Sequence, residues 1–175
     1  IFFKKVKTIN KEDLKAGSII GIFLFLAFLV QTIGLKYTTV SKQAFITAGN
    51  VVVVPFLYWF ITKTKPGKYE IIAAFSCFIG IGILSIEKNF TIGIGDSLTM
   101  LCAIFFACHI VTIDIFSKKH DPIILTIIQF GVSALLSFLI AFLFKINLGT
   151  MNREVTISIL YLAIVSTIIA FGVQN

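Results

Sequence analysis

The sequence predicts an all-α fold, a polytopic bundle of transmembrane helices. Of its 175 residues, 58% are hydrophobic and only 13% are charged, and the mean hydropathy is +1.02. The apolar residues are grouped in runs of roughly 20, the length that a helix needs to cross a hydrocarbon core of about 30 Å. A soluble domain of this size could not cover so much apolar surface, because soluble proteins need a larger polar exterior.

The distribution of positive charge indicates a membrane protein and not a nucleic-acid-binding protein. The formal net charge is +7, and the Lys and Arg residues lie in short connections between apolar runs. This placement is typical of the loops of membrane proteins. A nucleic-acid-binding surface would need a basic stripe with interleaved stacking aromatics, which the sequence lacks. We therefore expect the lipid bilayer as a partner, and no nucleic acid.

Six membrane spans are predicted, each bounded by polar or basic connections. Gly17 and Gly21 form a GxxxG pair in the first span, which lets a neighbouring helix approach closely. Pro55 predicts a kink in the second span, because proline cannot donate to the carbonyl four residues earlier. Pro122 suits the first turn of the fifth span, where its missing N–H has no partner to lose. The spans cover about residues 16–35, 43–62, 69–86, 95–116, 122–144 and 155–175.

Counting basic residues predicts the orientation of these spans. The connections on one side carry ten lysines, five in residues 1–15, three in 63–68 and two in 117–120, whereas those on the other side carry five basic residues. The positive-inside rule therefore places 1–15, 63–68 and 117–120 in the cytoplasm. The preference for Ile, and for Lys over Arg, indicates an AT-rich bacterial genome, so we expect a bacterial plasma membrane.

A weak internal repeat predicts two copies of one unit in opposite orientations. The pattern A-F-x-V-Q occurs at residues 27–31 and again at 170–174, at the same depth of two spans. If the repeat is real, each unit has five helices, and an odd number turns the second copy upside down, as in the inverted repeats of secondary transporters. The chain would then hold the C-terminal part of the first copy, residues 1–86, and the N-terminal part of the second, residues 95–175. On this reading it is truncated at both ends.

Several motifs together resemble the EamA-type transporters of the drug/metabolite transporter superfamily. That family shows an apolar helix, a GL-x-YT-x-x-S-x-A-F segment and a helix broken at a V-P pair. Three further matches are G-D with A-C-H-I, D-P with I-Q-F, and S-T-x-x-A-F-x-x-Q. The residues concerned are Gly34, Leu35, Tyr37, Thr38, Ser41, Ala44, Phe45, Val54, Pro55, Gly95, Asp96, residues 107–110, Asp121, Pro122, residues 128–130 and residues 166–174.

The resemblance implies a ten-helix carrier built from two inverted repeats, of which this chain spans about six helices. It implies transport of an amino acid, a metabolite or a drug-like solute, with outward movement favoured. It does not indicate which solute. Because helices of the pattern are missing at both ends, the 175-residue chain is not expected to transport by itself.

His109 and Asp114 are the ionisable groups set well within an apolar run. A charge at such a depth costs roughly 3 kcal/mol, so these residues usually have a function or a partner. His109 is a candidate for binding solute or a proton in a central cavity; the alternative is a neutral imidazole bonded to a neighbouring helix. Asp114 is close to the loop lysines, and we favour an interfacial carboxylate paired with lysine.

Three polar residues complete the candidate translocation pathway, and each has a structural alternative. Asn50 precedes the expected kink at Pro55, where free backbone groups favour a transporter site, but it could equally make an interhelical hydrogen bond. Gln31 and Gln174 are equivalent positions of the repeat and would face a common axis. Polar contact between helices is the favoured alternative for both.

The hypothesis is alternating access by a secondary transporter, with a small solute as partner and a homodimer left open. We expect no enzyme, no cofactor and no metal site, because no hydrolase motif or Cys/His cluster at metal spacing is present. The three cysteines are read as small buried hydrophobes. Two alternatives stay open: a membrane-embedded enzyme that uses His109 and Asp114, and a membrane scaffold without transport.

Overall fold

The computed structural model describes residues 9–85, 93–145 and 152–163. Within these ranges the regular structure is helical and no strand occurs, which confirms the predicted all-α fold. The chain divides into two compact units, residues 1–140 and 141–175. The helices are α1 (Lys11–Gly34), α2 (Val40–Ala48), α3 (Asn50–Thr62), α4 (Lys68–Ser85), α5 (Ile94–Ser117), α6 (Pro122–Leu143) and α7 (Arg153–Tyr161).

Among the described residues, four stretches are long and apolar enough to cross a bilayer: α1, α2 and α3 taken together, α5 and α6. They coincide with the first, second, fourth and fifth predicted spans. The third predicted span is helical as α4, and the first residues of the sixth form α7. Residues 164–175 of the sixth span lie outside the described residues. The molecule is therefore a polytopic helical membrane protein.

Large apolar side chains remain at the surface of these helices. Phe75 and Phe78 of α4 and Phe138 of α6 are each about two-thirds exposed. So many exposed large apolar side chains are rare on soluble monomers, and in a membrane protein lipid or a neighbouring helix covers them.

A capping box sets the first turn of α1. The side-chain oxygen of Asn10 accepts a 2.7 Å hydrogen bond from the Asp13 N–H, and the Asp13 carboxylate accepts a 3.1 Å bond from the Asn10 N–H. These bonds satisfy two backbone donors that a helix N-terminus would otherwise leave unpaired. Consequently α1 begins at Lys11, earlier than the start near residue 16 that hydropathy alone predicts.

Helix α5 is the centre of the bundle and contacts α1, α2 and α3. Small side chains on its buried faces, among them Thr99, Ala103 and Ala107, let these helices approach closely. At one end Ala16 and Ile20 of α1 join Leu125 of α6 in an apolar cluster.

The GxxxG pair of α1 packs directly against α6, as the motif predicts. A Cβ added at Gly17 would lie 2.6 Å from the Cβ of Ile128, and one added at Gly21 would lie 2.8 Å from the backbone oxygen of Gln129. No real Cβ makes contacts this short, so only glycine allows this separation between the two helices.

The second predicted span is interrupted at Gly49, between α2 and α3. The Gly49 N–H bonds the Ile46 carbonyl at 3.0 Å, and the Val52 N–H bonds the Gly49 carbonyl at 2.9 Å, so the α-helical pattern changes locally to i→i+3 bonds. Pro55 lies inside α3, which is helical on both sides of it. The interruption therefore occurs before the proline; the kink at Pro55 itself stays a prediction.

Candidate functional site

A buried hydrogen bond joins the central helix to α6. His109 Nε2 lies 2.9 Å from Gln129 Oε1, and the two residues are only 8% and 1% exposed. Because an amide oxygen only accepts, the imidazole donates from Nε2. Gly21 of α1 packs against the backbone of Gln129, on the residue that makes this contact. The structure thus has the imidazole bonded to a neighbouring helix, the alternative that the sequence left open.

Asp114 pairs with a lysine at the end of α5, and that expectation is confirmed. Its Oδ2 lies 2.8 Å from Lys118 Nζ, with both side chains about half exposed. Lys118 also donates to the Tyr58 hydroxyl at 3.1 Å. The Asp114 carboxylate, and after it the Tyr58 hydroxyl, raise the pKa of the Lys118 ammonium above its usual value. His109 and Asp114 therefore contact different partners.

At the start of α5, Asp96 is the acceptor of a buried polar cluster. Its Oδ2 lies 2.8 Å from Lys42 Nζ of α2 and accepts the Gly93 N–H at 3.1 Å, while its Oδ1 accepts the Thr38 hydroxyl at 3.2 Å. The adjacent Gly95 packs on the Tyr37 backbone, where an added Cβ would approach within 2.6 Å. The connection between α1 and α2 is thus fixed against the N-terminus of α5.

A hydrogen bond between His120 and Asp13 lies at the opposite end of α5. His120 Nδ1 is 2.6 Å from Asp13 Oδ1, and both side chains are nearly buried. Together with the contact between Lys118 and Tyr58, it places the start of α1, the end of α3 and the end of α5 at one end of the bundle. Asp96 and Lys42 lie at the other end. Successive predicted spans cross the bilayer in opposite directions, and these contacts lie at the ends that such a topology requires. That the end with Asp13 and His120 faces the cytoplasm stays a prediction.

The remaining candidate residues are not brought together with His109 by any hydrogen bond among the described residues. Gln31 contributes its backbone oxygen, which accepts a 2.7 Å bond from the buried Gln43 side chain. Asn50 is the first residue of α3, half-buried, and its side chain has no hydrogen-bond partner within the part of the chain that the structure describes. Gln174 lies outside the described residues.

Pro55 lines a cleft of about 390 Å³ between α3 and α4. One end of the cleft is formed by the loop that joins the two helices, and its walls are formed by the helices themselves. The lining residues are Val51, Val54, Pro55, Tyr58, Thr64, Lys65, Pro66, Gly67, Glu70 and Ala73.

The buried polar side chains described above are joined by hydrogen bonds and, between Lys42 and Asp96, by an ion pair. In the described ranges no three His, Cys, Asp or Glu side chains lie close enough to share a metal ion. The buried pair of His109 and Gln129 offers donors and acceptors within an apolar bundle, where each hydrogen bond is electrostatically stronger than in water.

Three of these contacts join residues that the sequence does not identify as partners. Asp13, three residues after Asn10, carries a recognisable capping-box signal, but its bond to His120 has no local signature. The same is true of the pairing of Asp96 with Lys42. The bond between His109 and Gln129, which lie on separate helices 20 residues apart, also has no local signature.

The fold and these buried polar contacts define an integral membrane helical bundle. The chain belongs to the EamA-like transporter family, whose sequence profile matches residues 1–86 and 93–175. It is similar to a protein of Archaeoglobus fulgidus named as an uncharacterized transporter, with 34% identity over 163 residues, 93% of this chain and 52% of that relative. The chain thus spans about half the length of this curated relative. No solved structure matches the chain.

Proposed function

We propose that the complete protein is a secondary transporter that moves a small metabolite, amino acid or drug-like solute outward across the plasma membrane by alternating access. The observation that carries this proposal is the family match, which covers nearly the whole chain in two segments. The name of the Archaeoglobus relative, an uncharacterized transporter, supports it.

The two matched segments also support the inverted-repeat arrangement. They are residues 1–86 and 93–175, and the sequence predicts a boundary between two copies at the same place. Transporters with inverted repeats bind their solutes near the bilayer midplane at the interface between the repeats. Helix α5 begins the second segment and packs against three helices of the first.

The solute contacts assigned to this site are His109 and Asn50, with Gln31 and Gln174 on the same pathway. A bound solute with a carbonyl or carboxylate group would compete with the Gln129 amide oxygen for the imidazole donor of His109. Asn50 offers a half-buried side chain free of hydrogen bonds to the described residues, next to the interruption at Gly49. Broken helices of this kind are where secondary transporters build their binding sites.

The test uses the complete open reading frame reconstituted in liposomes. Uptake and counterflow are measured with a set of radiolabelled amino acids and with the amphipathic dye ethidium, at several pH values. We expect His109→Ala and Asn50→Ala to slow transport of the accepted compound, and His109→Ala also to change its pH dependence. Ser137→Ala, at an exposed position of α6, is the control.

Unchanged rate and pH dependence in His109→Ala would remove this residue from the mechanism. If the correctly folded wild-type protein transports none of the compounds, a scaffold role is favoured for this protein.

A further inference from the structure

The cleft between α3 and α4 is amphipathic along its length. Three of its polar lining side chains, Thr64, Lys65 and Glu70, lie on or next to the loop between the two helices, and Tyr58 lies about one turn earlier on α3. Its apolar lining includes Val51 and Val54 on α3. A ligand that fills the cleft therefore needs a polar group at one end and an apolar group at the other.

The position of the cleft matches the boundary between headgroups and hydrocarbon. Tyr58, followed by Trp59 and the basic loop, marks this boundary, since aromatic residues favour the interface. From Tyr58 to Val51 α3 makes about two turns, which corresponds to roughly 10 Å along the helix axis. The polar end of the cleft thus lies at headgroup level, and its apolar walls extend into the hydrocarbon.

The charge at the polar end is predominantly positive. Lys65 lines the cleft, Lys63 and Lys68 flank it, and Glu70 is the one acidic residue of the lining. The Glu70 carboxylate already accepts the Gly67 N–H at 2.7 Å. No hydrogen bond or ion pair engages the Lys65 ammonium within the described part of the chain. The headgroup that complements this end is therefore anionic.

We propose that this cleft binds an anionic phospholipid of the surrounding leaflet, with its phosphate at Lys65 and an acyl chain along Val54 and Val51. A volume of about 390 Å³ is within the usual range for ligand pockets and accommodates the glycerophosphate region and the upper part of one chain. Basic pockets between membrane helices bind anionic headgroups by the same combination of charge and apolar walls. The site is separate from the His109 pair and does not depend on the proposed transport.

The test measures lipid retention by the complete protein. The protein is purified in detergent, mixed with equal amounts of phosphatidylglycerol and phosphatidylcholine, and analysed by native mass spectrometry. We expect retention of phosphatidylglycerol over phosphatidylcholine, reduced about fivefold in Lys65→Gln. Ala73→Phe, which fills the cleft without changing charge, should reduce the retention of both lipids.

Matched variants distinguish a site from general attraction to a basic surface. Lys36→Gln removes an exposed lysine just after the C-terminus of α1, away from the cleft. Ala134→Phe adds a ring at an exposed position of α6. Both should retain lipid as the wild type does. Equal retention of the two phospholipids, equal losses in Lys65→Gln and Lys36→Gln, or no effect of Ala73→Phe would each overturn the proposal. The proposal would also be overturned if no lipid is bound because another helix of the complete protein fills the cleft.

Discussion

Lys42 Nζ lies 2.8 Å from Asp96 Oδ2, and the two side chains are only 12% and 5% exposed. Asp114 and Lys118 have the same separation, but there the side chains are 49% and 59% exposed. The two ion pairs therefore have the same length and differ in how far their side chains are buried. An exposed pair contributes little, whereas removing one partner of a buried pair costs more, because water does not replace the lost contact in the protein interior.

Asp96→Asn should destabilise the complete protein by about 1–3 kcal/mol, because the largely buried Lys42 ammonium loses its charge-assisted 2.8 Å contact with the carboxylate. The asparagine retains one side-chain oxygen to accept from Thr38 or from the Gly93 N–H, so the loss falls mainly on the ion pair. The measurement is the thermal denaturation midpoint in detergent. Asp114→Asn is the control and should change the midpoint little. Equal shifts in the two variants would contradict the difference in burial.

Substitution of either glycine of the GxxxG pair should loosen the packing of α1 on α6. Gly17→Ala and Gly21→Ala should each destabilise the protein by about 1–3 kcal/mol, because the added Cβ overlaps Ile128 or the Gln129 backbone. Gly131→Ala is a matched control, since a Cβ there meets nothing within 4 Å. It should be neutral, or stabilising by up to about 1 kcal/mol through helix propensity. A ranking with Gly131→Ala as the most damaging would refute this account.

Asp13→Asn should weaken the start of α1. It replaces the carboxylate that is hydrogen-bonded to His120 and weakens the capping box with Asn10, at a cost of about 1–2 kcal/mol. Hydrogen exchange of the first turns of α1 reports the effect locally. Glu12→Gln changes a neighbouring exposed carboxylate and should leave exchange unaltered. Comparable exchange in the two variants would show that the contact with His120 adds nothing.

Gln129→Ala should cost about 1–3 kcal/mol, because the buried imidazole of His109 loses its partner. Unfolding in detergent measures this cost. Ser137→Ala, at an exposed position on the same helix, should have almost no effect. If the double variant His109→Phe/Gln129→Ala is as unstable as Gln129→Ala alone, the loss comes from the cavity and not from the unpaired imidazole.

Hydropathy and local motifs were sufficient to predict the helices and some of their contacts. The apolar runs locate α1, α5 and α6 because the bilayer fixes the length of each helix. The spacing of Gly17 and Gly21 predicts close packing, and four residues along a helix bring Asp114 near Lys118.

The missed contacts share one physical feature, a long separation between the partners along the chain. Thr38 and Asp96 are 58 residues apart, and Asp13 and His120 are 107 residues apart. No periodicity or local spacing encodes such pairs, since they depend on which helices become neighbours. The interruption at Gly49 was missed for a different reason: a proline gives a strong local signal, whereas a glycine within an apolar run is common in membrane helices.

The contact between Asp13 and His120 also constrains how the protein is made. Asp13 leaves the ribosome 107 residues before His120 does, which corresponds to roughly 5–20 s at usual rates of synthesis. When α1 enters the membrane within that interval, the Asp13 carboxylate has no imidazole to pair with. Asp13 lies in the first turn of α1, where water at the bilayer surface solvates the charge until His120 arrives. A carboxylate near the middle of α1 would spend the same interval in hydrocarbon at a cost of roughly 3 kcal/mol, so insertion of the nascent chain favours placing this pair at the end of the helix.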